Sequence, residues 1–417
     1  MNWKMKFGRS WGRLGMKSEY ITKPLSVLAD IQTGPFGSQL HKKDYVQIGT
    51  PIVTVEHLGK KKFTEQNLPC VSDSDKERLG KYILREGDIV FSRVGSVDRC
   101  SYVSNEYDGW MFSGRCLRVR PFIEIDSQYL YYYFTLESIK QFVRGIATGA
   151  TMPSINTKFM GEVPVTYPPM EEQCKIVSVL STLDDKIELN NKINKNLELQ
   201  AQELFKAWFV TFETFGRKMP SSWSVAKLGD IATIKTNSFS PAKNPTVMLE
   251  HYSIPAFDEQ KYPVFELASN VKSNKYILTD NSVMISKLNP GTKRVWRPMC
   301  ISEFAVSSTE FIIFEANDPT YKDYVFSVID SPAFSDWMCA HTTGSTNSRQ
   351  RTTPSTTLKF QIALPTQEIV SDFCKIVTPM YDMIAQNTCE NRKLAAFRDS
   401  LLPKLMSGEL DVSNIEI

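Results

Sequence analysis

Two copies of one unit make up most of the sequence, and this internal repeat constrains the fold more than any other feature. The tetrapeptide KYIL occurs at Lys81–Leu84 and again at Lys275–Leu278, an offset of 194 residues. At the same offset PIVTVEH, from Pro51, matches PTVMLEH, from Pro245, and IVFSR matches VMISK. Several matches in one order at nearly one spacing indicate a duplicated fold.

The repeat and the chain length predict two globular domains, each followed by a long helix. A single hydrophobic core rarely grows beyond about 250–300 residues, and this chain has 417. We expect residues 1–16 to be an N-terminal extension, because Met16 offers a second start. The parts expected after it are a globular domain at 17–168, a spacer helix at 169–212, a second globular domain at 213–365, and a second spacer helix with a tail at 366–417.

Short apolar segments within the globular domains predict an α+β fold. GDIVFSRV, CLRVRPFI, SVMISKL and EFIIFEA read as strands, and Gly, Asn, Asp and Pro turns separate them. Helical patches lie among them, SQYLYYYFTLESIKQFVRGI in the first copy and PTYKDYVFSVIDSPAFSDWMC in the second. Strands and helices do not alternate regularly, which favours α+β over a parallel α/β sheet.

The two long helices are predicted to pair as antiparallel coiled-coil partners, because seam residues recur at steps of four and three. The first seam comprises Ile176, Leu180, Leu183, Ile187, Asn190, Asn194, Leu197, Ala201, Leu204 and Trp208. The second comprises Ile369, Phe373, Ile376, Met380, Met383, Asn387, Glu390, Leu394, Phe397 and Leu401. A helix of about 40 residues spans about 60 Å, so the pair would hold the two domains a fixed distance apart.

Both seams are apolar at their ends and polar at the centre. Asn190 and Asn387 are interpreted as residues that fix the register, since a buried polar seam residue costs stability but specifies alignment. The alternative is that they are solvated amides where the helices diverge. Pro379 lies inside the second seam, and we expect the helix to bend there or to begin afresh at Met380.

Composition and motifs exclude several function classes. No run of about 18 apolar residues is present, so we expect no membrane span. The eight cysteines form no CxxC pair, and no secretion signal precedes them, which favours the reducing cytoplasm. The sequence lacks GxxxxGK[ST], GxGxxG, GxSxG and a convincing nuclease carboxylate pair. We therefore predict no catalytic, cofactor-binding or metal-binding residue in this chain.

A Glu-His pair recurs in both copies, at Glu56 and His57 and at Glu250 and His251. Neighbouring residues of a strand point to opposite faces, so an acid/base dyad is the weaker interpretation. An inherited structural feature at a strand end is the favoured one.

Polar loops at matching places in the two copies predict DNA binding. The formal charge is only +3, so a nucleic-acid surface must be local. SRVGSVDR corresponds to SKLNPGTKRVWR, and ATGATMPSIN corresponds to HTTGSTNSRQRTTPS. Such side chains suit phosphate oxygens and base edges. The residues predicted to contact DNA are His41, Lys42, Arg93, Ser96, Arg99, Thr148 and Thr151 in the first domain, and Lys287, Lys293, Arg294, Arg297, Thr346, Asn347, Arg349 and Arg351 in the second.

The chain resembles the specificity subunits of type I restriction-modification systems from about residue 17 onward. The resemblance is most specific at Leu180–Asn191 and at Arg398–Leu410, where LLPKLMSGEL is typical of the C-terminal end of that family. The second helix start, LPTQEIVSDF, is looser than the usual Pro-Pro with Glu-Gln. This departure leaves the equivalence of the two helix starts as docking sites open.

The resemblance implies two target-recognition domains that each read half of an asymmetric, bipartite double-stranded DNA site. It implies that the helices set the spacing and dock two modification subunits, which carry S-adenosylmethionine and methylate adenine. Restriction subunits would use ATP and Mg to translocate and cleave DNA. The chain itself would have no active site and no cofactor. The alternatives are a single-chain DNA methyltransferase or nuclease, and a non-catalytic coiled-coil scaffold.

Overall fold

The computed structural model describes residues 20–37, 39–344, 350–412 and Ile415. The predicted extension at 1–16 therefore lies outside the described residues. The chain divides into two compact units. The first combines the residues up to Lys186 with those from Lys393 onward, and the second runs from Ile187 to Arg392. The boundary falls within both long helices, so each unit contains a stretch of each helix.

The first unit is an α+β fold with two four-stranded sheets, ordered β2-β9-β6-β7 and β3-β5-β4-β8, and a separate antiparallel pair β1-β10. Its strands are β1 (Ile21–Pro24), β2 (Ala29–Thr33), β3 (Tyr45–Val46), β4 (Thr50–Val53), β5 (Cys70–Val71), β6 (Ile89–Ser92), β7 (Cys100–Tyr102), β8 (Met111–Phe112), β9 (Cys116–Pro121) and β10 (Pro164–Tyr167). Its helices are α1 (Leu25–Leu28), α2 (Asp73–Arg78), α3 (Ser127–Thr135), α4 (Glu137–Ile146), α5 (Thr157–Gly161) and the first part of α6 (Met170–Phe209).

The second unit repeats this plan. It contains a four-stranded sheet ordered β12-β20-β17-β18, a five-stranded sheet ordered β13-β16-β19-β14-β15, and the two-stranded pairs β11-β23 and β21-β22. Its strands are β11 (Ser224–Lys227), β12 (Ala232–Lys235), β13 (Ser238–Phe239), β14 (Met248–Tyr252), β15 (Val264–Leu267), β16 (Lys275–Ile277), β17 (Ser282–Ser286), β18 (Val295–Trp296), β19 (Ala305–Ser307), β20 (Phe311–Ala316), β21 (Thr342–Thr343), β22 (Arg351–Thr352) and β23 (Gln361–Leu364). Its helices are α7 (Leu228–Ile231), α8 (Ile254–Gln260), α9 (Lys322–Asp330), α10 (Pro332–Ala340), α11 (Pro354–Thr357) and most of α12 (Gln367–Met406).

Strand pairing confirms the duplicated α+β fold that the sequence predicts. The matching segments IVFSR and VMISK contribute β6 and β17, which occupy the same place in their antiparallel sheets. The matching PIVTVEH and PTVMLEH segments contribute β4 and β14, and each pairs in parallel with a later strand of its own unit. The sheets β2-β9-β6-β7 and β12-β20-β17-β18 thus share one strand order, and the other two sheets share the order β5-β4-β8 and β15-β14-β19 but differ at their edges.

Each globular part packs on its own stretch of the long helices. In the first unit the aromatic face of α3 shares a core with Ile176 and Leu180 of α6 and with Leu405 of α12. In the second unit Phe209 of α6 lies 4.9 Å, between ring centroids, from both Tyr324 of α9 and Phe373 of α12. We call the contact between a globular part and its stretch of the helices the seat of that part. Each seat is hydrophobic and involves both helices.

An amide network joins the two helices within the second unit. Asn190 is only 1% exposed, and its Nδ2 donates to Glu390 Oε2 at 2.8 Å and to Asn391 Oδ1 at 2.9 Å. Asn387 Nδ2 donates to Asn194 Oδ1 at 2.8 Å. Partner numbers on α12 fall as those on α6 rise, so the helices run antiparallel here. Burial and these bonds favour the register interpretation of Asn190 over the solvated alternative.

The second seam needs correction at three positions. Ile376, Met383 and Phe397 are 41%, 48% and 55% exposed, whereas Val377 is fully buried and Ile384 packs against the core. The helix packs on the globular part at this end, so its buried residues Phe373, Val377 and Tyr381 step by four, rather than by the coiled-coil alternation of four and three. The buried positions Ile176 and Leu180 of the first helix step by four as well.

The expectation that a helix begins afresh at Met380 is wrong, because α12 is one α-helix from Gln367 to Met406. Pro379 withholds one backbone donor from the helix. Burial of Val377 and Tyr381 on either side of it offsets this cost. The other predicted pairing residues Leu183, Ile187, Leu197, Leu204, Met380, Leu394 and Leu401 are partly buried.

In each unit a pair of hydrogen-bonded side chains joins the globular part to the helix, and the two pairs differ in which side supplies the larger residue. In the first unit Tyr132 of α3 donates its hydroxyl to Asp184 Oδ2 at 2.6 Å, and Arg398 Nη1 contacts Asp184 Oδ1 at 2.5 Å. Burial, followed by the Asp184 charge, raises the pKa of Tyr132 well above its usual range, so the hydroxyl stays a donor. In the second unit the corresponding pair is Ser327 of α9 and Tyr381 of α12, whose hydroxyls lie 3.2 Å apart. The large side chain comes from the globular part in one unit and from the helix in the other.

This exchange predicts the result of a double-mutant cycle. Asp184→Tyr places two tyrosines opposite each other and removes the acceptor of Arg398, so we expect a loss of about 2–3 kcal/mol from overpacking and lost hydrogen bonds. Adding Tyr132→Ser recreates the pair of the second unit, and we expect it to restore about 1 kcal/mol or more. Hydrogen exchange of the α3 amides measures the stability change in the single and in the double variant. Asp185→Tyr, at a neighbouring exposed position, is the control, and equal effects at 184 and 185 would contradict the assignment.

Candidate nucleic-acid interface

Two polar loops of the first unit, residues 92–99 and 147–156, are joined by backbone hydrogen bonds. We call them loop pair 1. Because each loop is held at both ends by a strand or helix, the cross-links fix the loops against each other. The bonds run from Gly95 N to Pro153 O (2.8 Å), from Ile155 N to Arg93 O (3.0 Å), from Thr148 N to Ser154 O (2.9 Å) and from Ser92 N to Arg99 O (2.9 Å).

Loop pair 2 consists of residues 286–297 and the described part of 342–353 in the second unit. It repeats the backbone hydrogen-bond pattern of loop pair 1. The same four kinds of bond hold it, and the serine hydroxyl that bonds two residues ahead recurs at Ser92 and Ser286. The bonds run from Asn289 N to Gln350 O (3.0 Å), from Thr352 N to Lys287 O (3.0 Å) and from Ser286 N to Arg294 O (2.9 Å), with Thr343 paired to Arg351.

One cation occupies the equivalent position in each loop pair. Arg93 and Lys287 both follow the serine that ends the central strand, and both offer their carbonyl to the second loop. Arg93 Cζ lies 5.9 Å from the Phe36 ring centroid, and its buried Nε has no hydrogen-bond partner. Within the described ranges neither cation forms an ion pair. These two side chains are available to an anion.

The other predicted contacts of the first unit occupy loops with varied local roles. His41 is exposed and its backbone N donates to Asp44 at 2.7 Å, and Lys42 follows in a short 3-10 turn. Arg99 Nη2 donates to the Leu58 carbonyl, which holds it on a neighbouring turn. Ser96, Thr148 and Thr151 are exposed in loop pair 1.

Four predicted cations of the second unit are engaged by carboxylates. Arg294 makes a bidentate pair with Asp258 at 2.6 and 2.8 Å, and Arg351 pairs with Glu310 at 3.0 and 3.3 Å. Lys293 Nζ lies 2.7 Å from Asp330 Oδ1. A phosphate would have to compete with these partners. The predicted contacts Thr346, Asn347 and Arg349 lie outside the described residues.

Arg297, the fourth of these cations, is part of a buried network. Its Nε donates to Asp323 Oδ1 at 2.7 Å, and its Nη2 lies 2.9 Å from Asp382 Oδ1 on α12. Thr378 of α12 also donates to Asp323, at 2.6 Å. The network ties the globular part of the second unit to its helix, which is a structural role.

The Glu-His pairs are built into local structure rather than arranged as a dyad. His57 is buried, its Nδ1 lies 3.0 Å from Thr54 N and its Nε2 lies 3.2 Å from the Gln66 carbonyl. Burial lowers the pKa of His57, so the neutral ring is favoured. The buried Glu250 accepts bonds from Tyr252 and Ser302 instead of from its neighbouring histidine.

Sequence reasoning missed Phe36, whose ring adjoins Arg93. The signal is present in GPFG, since an aromatic residue between glycines at a loop is seldom a core residue. Across the described stretches of the chain, no group of three or more metal-ligating side chains comes together, and no helix is long and apolar enough to cross a bilayer. In the described residues none of the eight cysteines forms a disulfide.

Comparison with known proteins finds relatives of one family. Residues 18–199 match a family described as the type I restriction modification DNA specificity domain. The specificity subunit of the type I restriction enzyme MjaIX of Methanocaldococcus jannaschii is 29% identical over 333 residues, which cover 69% of this chain and 70% of that protein. The chain is thus similar, over most of its length, to type I restriction-modification specificity subunits.

Other specificity subunits resemble the chain over most of its length. The HindI specificity subunit of Haemophilus influenzae is 23% identical over 424 residues, which cover 82% of this chain and 91% of that protein. A crystal structure of the type I restriction-modification S subunit of M. genitalium superposes with a TM-score of 0.61 at 15% identity, covering 94% of this chain and 96% of that one. That likeness concerns the fold, and it agrees with the α+β fold and long helices of this chain.

The buried network of Arg297 generates a stability prediction. Arg297→Met removes one partner of a buried ion pair and leaves Asp323 uncompensated, so we expect the free energy of unfolding to fall by about 3 kcal/mol. Urea denaturation followed by tryptophan fluorescence measures this change. Lys218→Met, at an exposed position of the same unit, should change it by no more than about 0.5 kcal/mol. Unchanged stability together with lost DNA affinity would show that Arg297 is a DNA contact.

Proposed function

We propose that the chain is the non-catalytic, DNA-reading subunit of a type I restriction-modification complex. Its two globular parts would each read one half of a bipartite double-stranded DNA site. The main support for this proposal is the duplicated loop pairs, because their backbone hydrogen bonds correspond while their side chains differ. Arg93 in loop pair 1 corresponds to Lys287 in loop pair 2. A forked guanidinium and a single ammonium recognise different base edges and phosphates, so the two half-sites would differ and the whole site would be asymmetric.

The helix pair would fix the spacing between the half-sites. α6 and α12 are continuous over 40 residues each, and a helix does not shorten or lengthen without breaking backbone bonds. The bonds of Asn190 and Asn387 specify the antiparallel register. A specificity subunit of this kind would measure the DNA between the half-sites as a constant number of base pairs.

Exposed apolar side chains on the two helices support docking of partner subunits. Ile376 and Met383 of α12 and Leu189 and Leu199 of α6 are between 41% and 52% exposed in the second unit. Large apolar side chains on a helix surface mark contact sites for other proteins. We propose that these side chains in the second unit, and Phe397 of α12 in the first, which is 55% exposed, receive the modification subunits, one at each copy of the repeat. Those subunits would bring S-adenosylmethionine and methylate adenine, and restriction subunits would bring ATP and Mg.

Methylation mapping tests the proposal. In a bacterial host that expresses this chain with its modification subunits, we expect methylated adenines in one asymmetric sequence. That sequence should have two defined parts and a nonspecific spacer of constant length. Long-read sequencing that detects methyladenine provides the measurement. A contiguous palindrome, or no modified sequence, would contradict two-part reading.

Two controls separate the alternatives. The same host with the modification subunits but without this chain should show no such methylation. The purified chain incubated alone with S-adenosylmethionine and DNA should transfer no methyl group, and transfer under these conditions would support the single-chain methyltransferase.

A further inference from the structure

The loop after β2 presents a phenylalanine to solvent beside loop pair 1. Phe36 is 53% exposed, although Pro35 before it and Leu40 after it are buried. Its carbonyl accepts bonds from Gln39 N at 2.8 Å and Leu40 N at 3.2 Å, which close the turn behind the ring. The loop therefore holds the ring outward in a defined position.

Two glycines allow this loop to pack closely on the loop before β9. A Cβ atom on Gly34 would lie 2.1 Å from the Ser113 carbonyl oxygen, and one on Gly114 would lie 2.1 Å from the Pro35 carbonyl oxygen. Since real Cβ atoms do not approach backbone atoms this closely, the two loops fit together only with glycine at both positions. Gly34 N also donates to Cys116 O at 3.2 Å. An exposed aromatic ring on a closely packed loop loses little conformational entropy when it binds.

A free cation lies next to the ring. The Arg93 guanidinium carbon is 5.9 Å from the ring centroid, and in the described part of the chain no carboxylate pairs with it. An aromatic ring with an adjoining cation matches the chemistry of a nucleic acid, in which apolar base faces alternate with phosphates. Arg93 also carries the carbonyl that joins the two loops of loop pair 1, so ring, cation and recognition loops form one assembly.

The second unit lacks this arrangement. The phenylalanine that follows its equivalent strand is Phe239, which lies in β13 and packs on Phe304 with ring centroids 6.3 Å apart. Lys287, the counterpart of Arg93, makes no cation–π contact with an aromatic ring of the described residues. The exposed ring is therefore a property of the first unit and not of the shared fold.

We propose that Phe36 is a wedge that enters the base stack of duplex DNA at the half-site read by the first unit, while Arg93 contacts the adjoining phosphate. This inference rests on the proposed function. Apolar side chains inserted between base pairs unstack one step and kink the duplex. The first half-site is then read partly through the deformability of that step, and flexible pyrimidine–purine steps are favoured there.

A fluorescence scan of the first half-site tests the wedge. The full chain with its modification subunits is bound to duplexes that carry 2-aminopurine at successive positions other than the methylated adenine. We expect one step at which the complex raises fluorescence, because an unstacked 2-aminopurine is brighter. Phe36→Ala should abolish this rise and weaken binding roughly tenfold or more, the range of a lost base–aromatic contact. Phe36→Trp should keep the rise.

A matched control and a second variant secure the interpretation. Phe122, 45% exposed in the same unit, is the control, and Phe122→Ala should leave affinity and fluorescence unchanged. Phe36→Leu keeps an apolar side chain and should retain part of the rise, which separates loss of the wedge from misfolding. Wild-type fluorescence and affinity in Phe36→Ala would overturn the inference while the proposed function stands. A wild-type complex without preference for its methylated sequence would instead overturn the proposed function.

Discussion

The seat of each globular part on its own stretch of the helix pair is the interaction on which the other features depend. Ile176 and Leu180 are fully buried in the first unit, as are Phe373 and Val377 in the second. Each such side chain contributes about 1.5–3 kcal/mol when it leaves water. The seats also fix helix α3 and helix α9, and these in turn back the sheets from which the loop pairs emerge. Without the seats neither loop pair would have a defined position relative to its helices.

The two loop pairs share their backbone hydrogen bonds but differ in their side chains. The cross-links of loop pair 1 and loop pair 2 use corresponding main-chain atoms, so they do not depend on which residues occupy the loops. Arg93 and Lys287 can therefore differ without loss of loop geometry. At the helix seats, in contrast, side chains had to change in pairs, as Tyr132 with Asp184 and Ser327 with Tyr381 illustrate. Side chains of the loop pairs thus differ between the two copies without a change in these backbone bonds, whereas both members of the pair at the helix differ together.

The sequence predicts the repeat, the α+β class and the two long helices, because offsets and periodicity are local signals. It misplaces Ile376 and Met383, since a heptad pattern does not reveal that one end of a helix packs on a domain instead of a helix. It does not reveal that Arg294 and Arg297, both predicted DNA contacts, are paired with carboxylates. Their partners Asp258 and Asp323 are distant in sequence, so no local pattern could reveal the ion pairs. Phe36 was missed because exposure depends on how Gly34 and Gly114 bring two loops together.

The central claim is that one loop pair reads one half of the site, and a thermodynamic cycle between protein and DNA tests it most directly. The affinities of the complex with wild-type chain, Arg93→Ala and Lys287→Ala are measured on the intact site and on duplexes with either half replaced. The account predicts that Arg93→Ala weakens binding when the first half is intact and adds little once that half is replaced. Lys287→Ala should couple to the other half in the same way. Coupling of both substitutions to one half, or to neither, would contradict the account.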